Sequence, residues 1–175
     1  MVEKIETERL LLRPLRASDA GPLTLHASDK RVARMTSSIP HPYPPGAAQA
    51  FIEGSANGRR AEDVWVIDAT PSGGEELIGV IGYREGPAGL GYWVGQPYWG
   101  AGFATEAVNA LVHHLFQDRQ LGAIETAVFL DNDASAAVLK KNGFAEIGRT
   151  GVFSVARGET VSARVFRLEA AGAAR

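Results

Sequence analysis

The chain has 175 residues, of which 45% are hydrophobic and 22% charged, a composition that fits one soluble globular domain, residues 1–175, with a real core. With 18 basic and 20 acidic side chains the net charge is −2 and no basic tail exists, so a nucleic-acid partner has no electrostatic support. The absence of cysteine removes disulfides, thiolate metal sites and a cysteine nucleophile, and no His/Asp/Glu spacing points to a metal.

The N-terminus, MVEKIETERL, is not a signal peptide, and no apolar run reaches the ~18 residues of a membrane span, so no membrane is expected and the cytoplasm is the default location. Alternation around Leu10, Leu12 and Leu15 predicts a first strand over residues 4–16, ended by Pro14. Ser18-Asp19 and Ser28-Asp29 can cap two short helical segments. A proline-rich loop over residues 37–45 follows, stiff because each proline fixes its own φ and restrains its predecessor, and a helix runs over about 46–57.

Residues 64–68, 76–83 and 90–94 read as an antiparallel three-stranded meander. Over 102–119, Phe103, Ala107, Val108, Leu111, Val112, Leu115 and Phe116 recur at helical spacing, with Gly122 placed to cap the end. A strand at 124–129 follows. Asp131-Asn-Asp-Ala-Ser135 then opens a helix that Gly143-Phe144 closes, and strands at about 145–153 and 161–168 end the chain. The strand–helix–strand unit from 90 to 129 predicts that its two strands are parallel.

The chain is organised around Gly91-Tyr-Trp-Val-Gly-Gln-Pro-Tyr-Trp-Gly-Ala-Gly-Phe-Ala-Thr-Glu-Ala107, a strand, a glycine-rich turn and the start of a long helix. No residue from Tyr98 to Ala104 offers a capping side chain, although the first amides of a helix need acceptors. Gly100 and Gly102 allow close approach, so residues 100–105 form a site for an anion, most simply a phosphate. A triphosphate-binding loop fails because Ala101 and Gly102 stand where its lysine and hydroxyl belong. A dinucleotide fingerprint starting at Gly100 and Gly102 meets Thr105 at its third glycine, and Glu125 lies at the wrong end of its strand to reach a ribose. That template fits less well but stays open.

A third template is the acyl-CoA pyrophosphate turn. Trp99-Gly-Ala-Gly-Phe-Ala-Thr-Glu-Ala107, then Asn132-Asp-Ala-Ser135, then Lys141-Asn-Gly-Phe144 resemble the GNAT superfamily of acetyltransferases, in the branch of the RimJ/RimL-type ribosomal-protein N-terminal acetyltransferases. Glu6-Thr-Glu-Arg-Leu-Leu-Leu-Arg-Pro14 is a typical opening of that branch, so the likeness covers nearly the whole chain. The resemblance implies an α/β fold with a mixed, twisted sheet, helices on both faces, and a splay between strands 90–94 and 124–129 that holds acetyl-CoA. It implies that the amides of Gly100, Ala101, Gly102, Phe103, Ala104 and Thr105 hold the pyrophosphate, with Trp99 in place of the family's usual Gln/Arg. The backbone of Trp93 and Val94 would pair with the pantetheine arm as an added strand does, helped by Asn132.

The implied reaction is direct attack of a primary amine, on a peptide or a small molecule, upon the thioester carbonyl. Such attack needs an unprotonated amine, a polarised carbonyl and a proton for the thiolate. Many relatives supply that proton from a tyrosine where this chain has Leu139, so Ser135 is the hydroxyl expected to serve, and the Val94 N–H is the expected carbonyl polariser. Gly89 stands where relatives carry a basic glutamate, which leaves Glu85, His26 or a water chain, His26 reading more readily as packing. Deprotonating an α-amine at pH 7 costs about 1–1.4 kcal/mol against about 4.6 for lysine, so a weak base fits an α-amine better.

Departures at Leu139 and Gly89 also fit a catalytically weak acyl-CoA sensor of the same fold. Glu106 reads as a ligand contact or a first-turn partner of the helix dipole, and Asn132 and Ser135 could act only as caps. His113 and His114 are expected on the partly exposed surface, and His41 and Tyr43 could border the acceptor site, which the loops at 36–46 and 150–160 would shape. A homodimer is compatible with the family, and no metal is implied.

Overall fold

Where alternation predicts one opening strand, the structure, a computed structural model describing residues 2–172, has two: β1 (Ile5–Glu6) and β2 (Leu11–Arg13), paired antiparallel. The break lies at Thr7, whose N–H donates to the Leu10 carbonyl (2.9 Å) and whose hydroxyl accepts from the Leu10 N–H (2.9 Å), closing a tight turn. After it come α1 (Ala20–Ala27), α2 (Lys30–Ala33), capped by Asp29 through the Arg31 N–H, and α3 (Ala47–Ala56). Strands β3 (Asp63–Asp68), β4 (Gly79–Tyr83) and β5 (Leu90–Val94) form the expected meander and complete a five-stranded antiparallel sheet in the order β1-β2-β3-β4-β5.

The long helix α4 (Phe103–Gln117) crosses to β6 (Ala123–Phe129). Helix α5 (Asp133–Lys141) then leads to the hairpin of β7 (Ala145–Ser154) and β8 (Glu159–Glu169). A second sheet has the order β6-β8-β7. β5 and β6, expected as parallel strands splayed apart, share no ladder. β6 spends its ladder on β8 from Ala123 to Phe129, and every paired strand among the described residues is antiparallel. Thr126 bridges the gap by donating its hydroxyl to the Leu90 carbonyl at 2.6 Å. The splay is therefore complete enough to divide the sheet in two.

Strand alternation sorts the core. Trp65 and Ile67 of β3 face one way, onto Ala107, Leu111 and Leu115 of α4 and Leu139 of α5; Val64 and Val66 face the other, onto Leu23 of α1 and Ala48 and Ile52 of α3. Helices thus cover both faces. Leu139, where the resemblance places a tyrosine, is fully buried in the first cluster.

Arg13 is fully buried, its guanidinium donating to Asp68 (2.7 Å), to Asp19 (2.9 and 2.8 Å) and to the Glu76 carbonyl (2.8 Å). This cluster ties β2 to the turn before α1 and to the end of β3, and removing one partner of such a buried pair typically costs about 3–5 kcal/mol. Two further expectations are corrected. Helix α4 ends at Gln117 with Asp118 as its C-cap, and Gln120 rather than Gly122 takes the left-handed φ (54°). His114 is buried, not partly exposed: its Nδ1 lies 2.7 Å from Asp118 and its ring packs edge-on to Trp65. Its 114 position falls on the same stripe as Leu111 and Leu115, whose burial takes it inward. Among the described residues no helix is long and apolar enough to cross a membrane.

Candidate active site

Two cavities meet in the splay. The larger, about 670 Å³, lies between the α4 N-terminus, the end of β5 and the α5 N-terminus; the smaller, about 280 Å³, opens toward α3 and the loop at 35–39. Met35, Thr36, Tyr92, Trp93, Asn132 and Ser135 line both, so the boundary between the cavities falls on them.

The N-terminus of α4 is open, as its sequence predicts. Gly102 occupies the cap position at φ 80° and no side chain accepts from the first turn; Gly100 has φ 77°. Both values lie where glycine is favoured, and at Gly100 nothing else requires glycine, since a Cβ there would meet nothing within 4 Å. Gly100, Gly102, Phe103, Ala104 and Thr105 all line the large cavity, bordered by Arg31, Arg34 and Lys141. Ala101 does not line it. Its carbonyl turns away to accept from the Arg9 guanidinium at 2.8 Å.

That guanidinium belongs to a brace the sequence did not expose. Glu106 accepts from the Thr7 hydroxyl (2.7 Å), the Arg9 N–H (2.9 Å) and the Arg9 Nε (2.7 Å), while Arg9 stacks 4.5 Å above Phe103. Burial works against the Glu106 charge, but these donors prevail and hold its carboxyl below the usual carboxylate range. Glu106 therefore ties the start of α4 to the turn between β1 and β2, and it does not line the large cavity. The Thr-Glu-Arg of the opening segment is the other half of that brace.

Strand β5 presents its edge groups selectively. Gly95 donates to the Ile78 carbonyl at 2.7 Å, and alternation in an antiparallel ladder then turns the N–H and C=O of Trp93 toward Val80 and those of Val94 and Tyr92 toward the splay. Trp93 thus enters the cleft by its side chain, and Val94 by its backbone. The Val94 carbonyl accepts from the Trp99 indole N–H at 2.6 Å, which leaves the Val94 N–H as the group facing the cleft. Trp99 itself is 49% exposed on the rim.

Across the cleft Asn132 caps α5, accepting from the Ser135 N–H at 3.2 Å, and so sets Ser135 in the first turn. The Ser135 hydroxyl lies 2.7 Å from the hydroxyl of Tyr92, which also donates to the Ser135 carbonyl (3.1 Å). Burial pushes the Tyr92 hydroxyl well above the ordinary phenol value, against the effect of its Ser135 hydrogen bond, so Tyr92 stays protonated at neutral pH. This pair joins β5 to α5 at the point where the cavities meet. Tyr92 was missed because its strand position reads as simple alternation, and only folding brings it to Ser135.

Neither residue considered as a base reaches this point. His26 packs against Gly95, where a Cβ would lie 2.5 Å from its Nδ1, and edge-on to Tyr98; burial lowers its pKa, so it is a neutral packing group. Glu85 lies in a separate depression with Tyr83 and Arg119. His41 and Tyr43 line neither cavity, whereas Thr36 to Ile39 and Val152 line the smaller one. Those loops are knitted by Arg157, which donates twice to Asp131 (3.0 Å each) and to the Arg34 carbonyl (2.9 Å). The Arg157 hydrogen bonds hold the Asp131 carboxyl below its ordinary range.

The sequence profile described as "acetyltransferase (GNAT) domain" matches residues 9–145. The chain is 29% identical to an uncharacterized N-acetyltransferase, p20, of Bacillus licheniformis over 95% of this chain and 96% of that one. In fold it is similar to RimL, the ribosomal L7/L12 alpha-N-protein acetyltransferase solved with coenzyme A, at TM-score 0.80 and 18% identity over 95% and 98% of the two chains. It is similar also to the microcin C7 self-immunity acetyltransferase MccE, solved with acetyl-CoA and AMP, at TM-score 0.78 and 18% identity over 93% of each chain. The open helix and divided sheet thus belong to a known architecture, and the chain is a member of the GNAT family of acetyl-CoA-dependent N-acetyltransferases.

Proposed function

We propose that the protein transfers the acetyl group of acetyl-CoA to a primary amine by direct attack in a ternary complex. The observation that carries this reading is the uncapped N-terminus of α4 opening into a cleft of about 670 Å³ that meets a second cavity at Tyr92 and Ser135. The amides of residues 100 and 102–105, with the helix dipole behind them, hold the pyrophosphate, and Arg31, Arg34 and Lys141 stand around it. The Val94 N–H, directed into the splay, binds and polarises the acetyl carbonyl. Asn132 and the Trp93 ring flank the pantetheine arm, and Trp99 keeps the end of β5 in place. Ser135 gives its hydroxyl proton to the departing sulfur and recovers one through Tyr92. The acceptor enters by the smaller cavity. A peptide N-terminus is the acceptor class favoured by the likeness to RimL, whose name specifies an α-N-protein substrate.

The test is release of free CoA thiol from acetyl-CoA across a panel of peptide N-termini, amino acids, polyamines and aminoglycosides. At least one amine is expected to release thiol, and Ser135→Ala is expected to lower that rate about a hundredfold while CoA still raises Tm. Stabilisation by CoA without release from any amine would favour the acyl-CoA sensor; stabilisation by NAD and not by CoA would overturn both.

A further inference from the structure

The smaller cavity contains a carboxylate whose position no sequence motif indicated. The charged and titratable groups lining it are Arg60, Glu62, Arg84 and Tyr92, so Glu62 is the one carboxylate on that wall among the described residues. Glu62 precedes β3, and its Oε2 accepts from Arg60 Nη2 at 3.2 Å, while the Arg60 guanidinium stacks 4.5 Å over Phe51. This pairing aims the carboxyl without using it up, because no donor among the described residues reaches Oε1.

Oε1 lies over Gly82, where any side chain would collide with the carboxyl group and with the Asp63 carbonyl. Gly82 stands in register with Gly91 of β5, and a Cβ on Gly91 would meet nothing within 4 Å. Two paired glycines therefore make a seat for the carboxylate and an open floor from it toward Trp93, whose ring lines both cavities. Glu62 is about 29% exposed, reachable from the cavity yet held on the sheet.

We propose that Glu62 receives the acceptor's ammonium group and takes a proton from its nitrogen during transfer, which makes the acceptor a cationic primary amine bound on the α3 side of the sheet. The assignment rests on the transferase reading above. One ammonium proton passes to water as the amine becomes nucleophilic. Glu62 takes the second as the nitrogen bonds to the acetyl carbon and the carbon–sulfur bond breaks. Ser135 protonates the sulfur and is refilled through Tyr92 by a proton drawn from water, and Glu62 sheds its proton to solvent, so one proton is released in net. Nothing is oxidised or reduced.

The experiment compares wild type, Glu62→Gln and Glu62→Asp in kcat/KM from about pH 6 to pH 9, with CoA affinity and Tm measured on each. Glu62→Gln is expected to lower kcat/KM by about a hundredfold near neutrality. The deficit should narrow toward high pH, where free amine and hydroxide replace the carboxylate. Glu62→Asp should fall between, and CoA affinity and Tm should not move. A Glu62→Gln enzyme within twofold of wild type, or one reduced by the same factor at every pH, would overturn the assignment and leave the transferase reading standing. A wild type that acetylates no amine would overturn both.

Discussion

Two helices begin on the same cleft, and they begin in opposite ways. Helix α4 starts at a glycine with positive φ and no side-chain acceptor, its turn held from behind by Glu106, Arg9 and Thr7. Helix α5 starts at Asn132, which caps it through the Ser135 N–H, with Asp133 in its first turn. The first leaves amides and dipole for a polyanion. The second satisfies its own amides and uses the rigidity gained to hold one hydroxyl against Tyr92. In the proposed mechanism binding and chemistry call for different helix starts, and the fold places one on each side of the splay.

The largest effect should come from making α4 resemble α5. Gly102→Asp strains the backbone at φ 80° and puts a carboxylate over the amides; it should weaken CoA binding on the order of a hundredfold, about 3 kcal/mol. Calorimetric affinity within twofold of wild type would show that the open helix start is not the anion site.

A smaller effect is expected behind the turn. The Glu106 carboxyl is held below its ordinary range by Thr7 and Arg9 despite burial, so its contribution to stability is present at neutral pH and is lost as pH falls from the ordinary carboxylate value through the folded one. Glu106→Gln should cost about 1–2 kcal/mol at neutral pH and flatten the acid limb of the stability curve. Denaturant melts from about pH 7 down to pH 3 test this; an unchanged acid limb would separate Glu106 from the brace.

The smallest effect falls on α5. Asn132→Ala removes a cap worth about 1 kcal/mol, a drop in Tm of about 2–4 °C for a chain of this size. Turnover should fall more than CoA affinity, because the loosened first turn carries Ser135. Equal losses in both would show that Asn132 acts mainly through its contact with the pantetheine arm and not through the cap, and would remove the contrast between the helices.

Much of this site was legible in the chain because its cause is local. A missing cap, two glycines and a helical stripe occur within one stretch, and they fix the conformation of the α4 start wherever it packs, on which the proposed anion site rests. The Asn132 cap and the Gly143 stop of α5 are local in the same sense: Gly143 has φ 88°, and Phe144 returns its N–H to the Leu139 carbonyl at 3.1 Å. What tertiary structure alone decided are meetings between segments with no local trace. The Tyr92–Ser135 bond joins β5 to α5, the Glu106 brace reaches back to the turn between β1 and β2, and Arg13 is neutralised by Asp19 and Asp68 from two other elements. The division of the sheet belongs with these. Connection through α4 allowed a parallel pair, but β6 has one hydrogen-bonding edge committed to β8, and its other edge faces β5 across a gap that Thr126 bridges without a ladder. Backbone preference is set by neighbours in sequence, whereas the partner of a charge, a hydroxyl or a strand edge is set by which surfaces the core brings together.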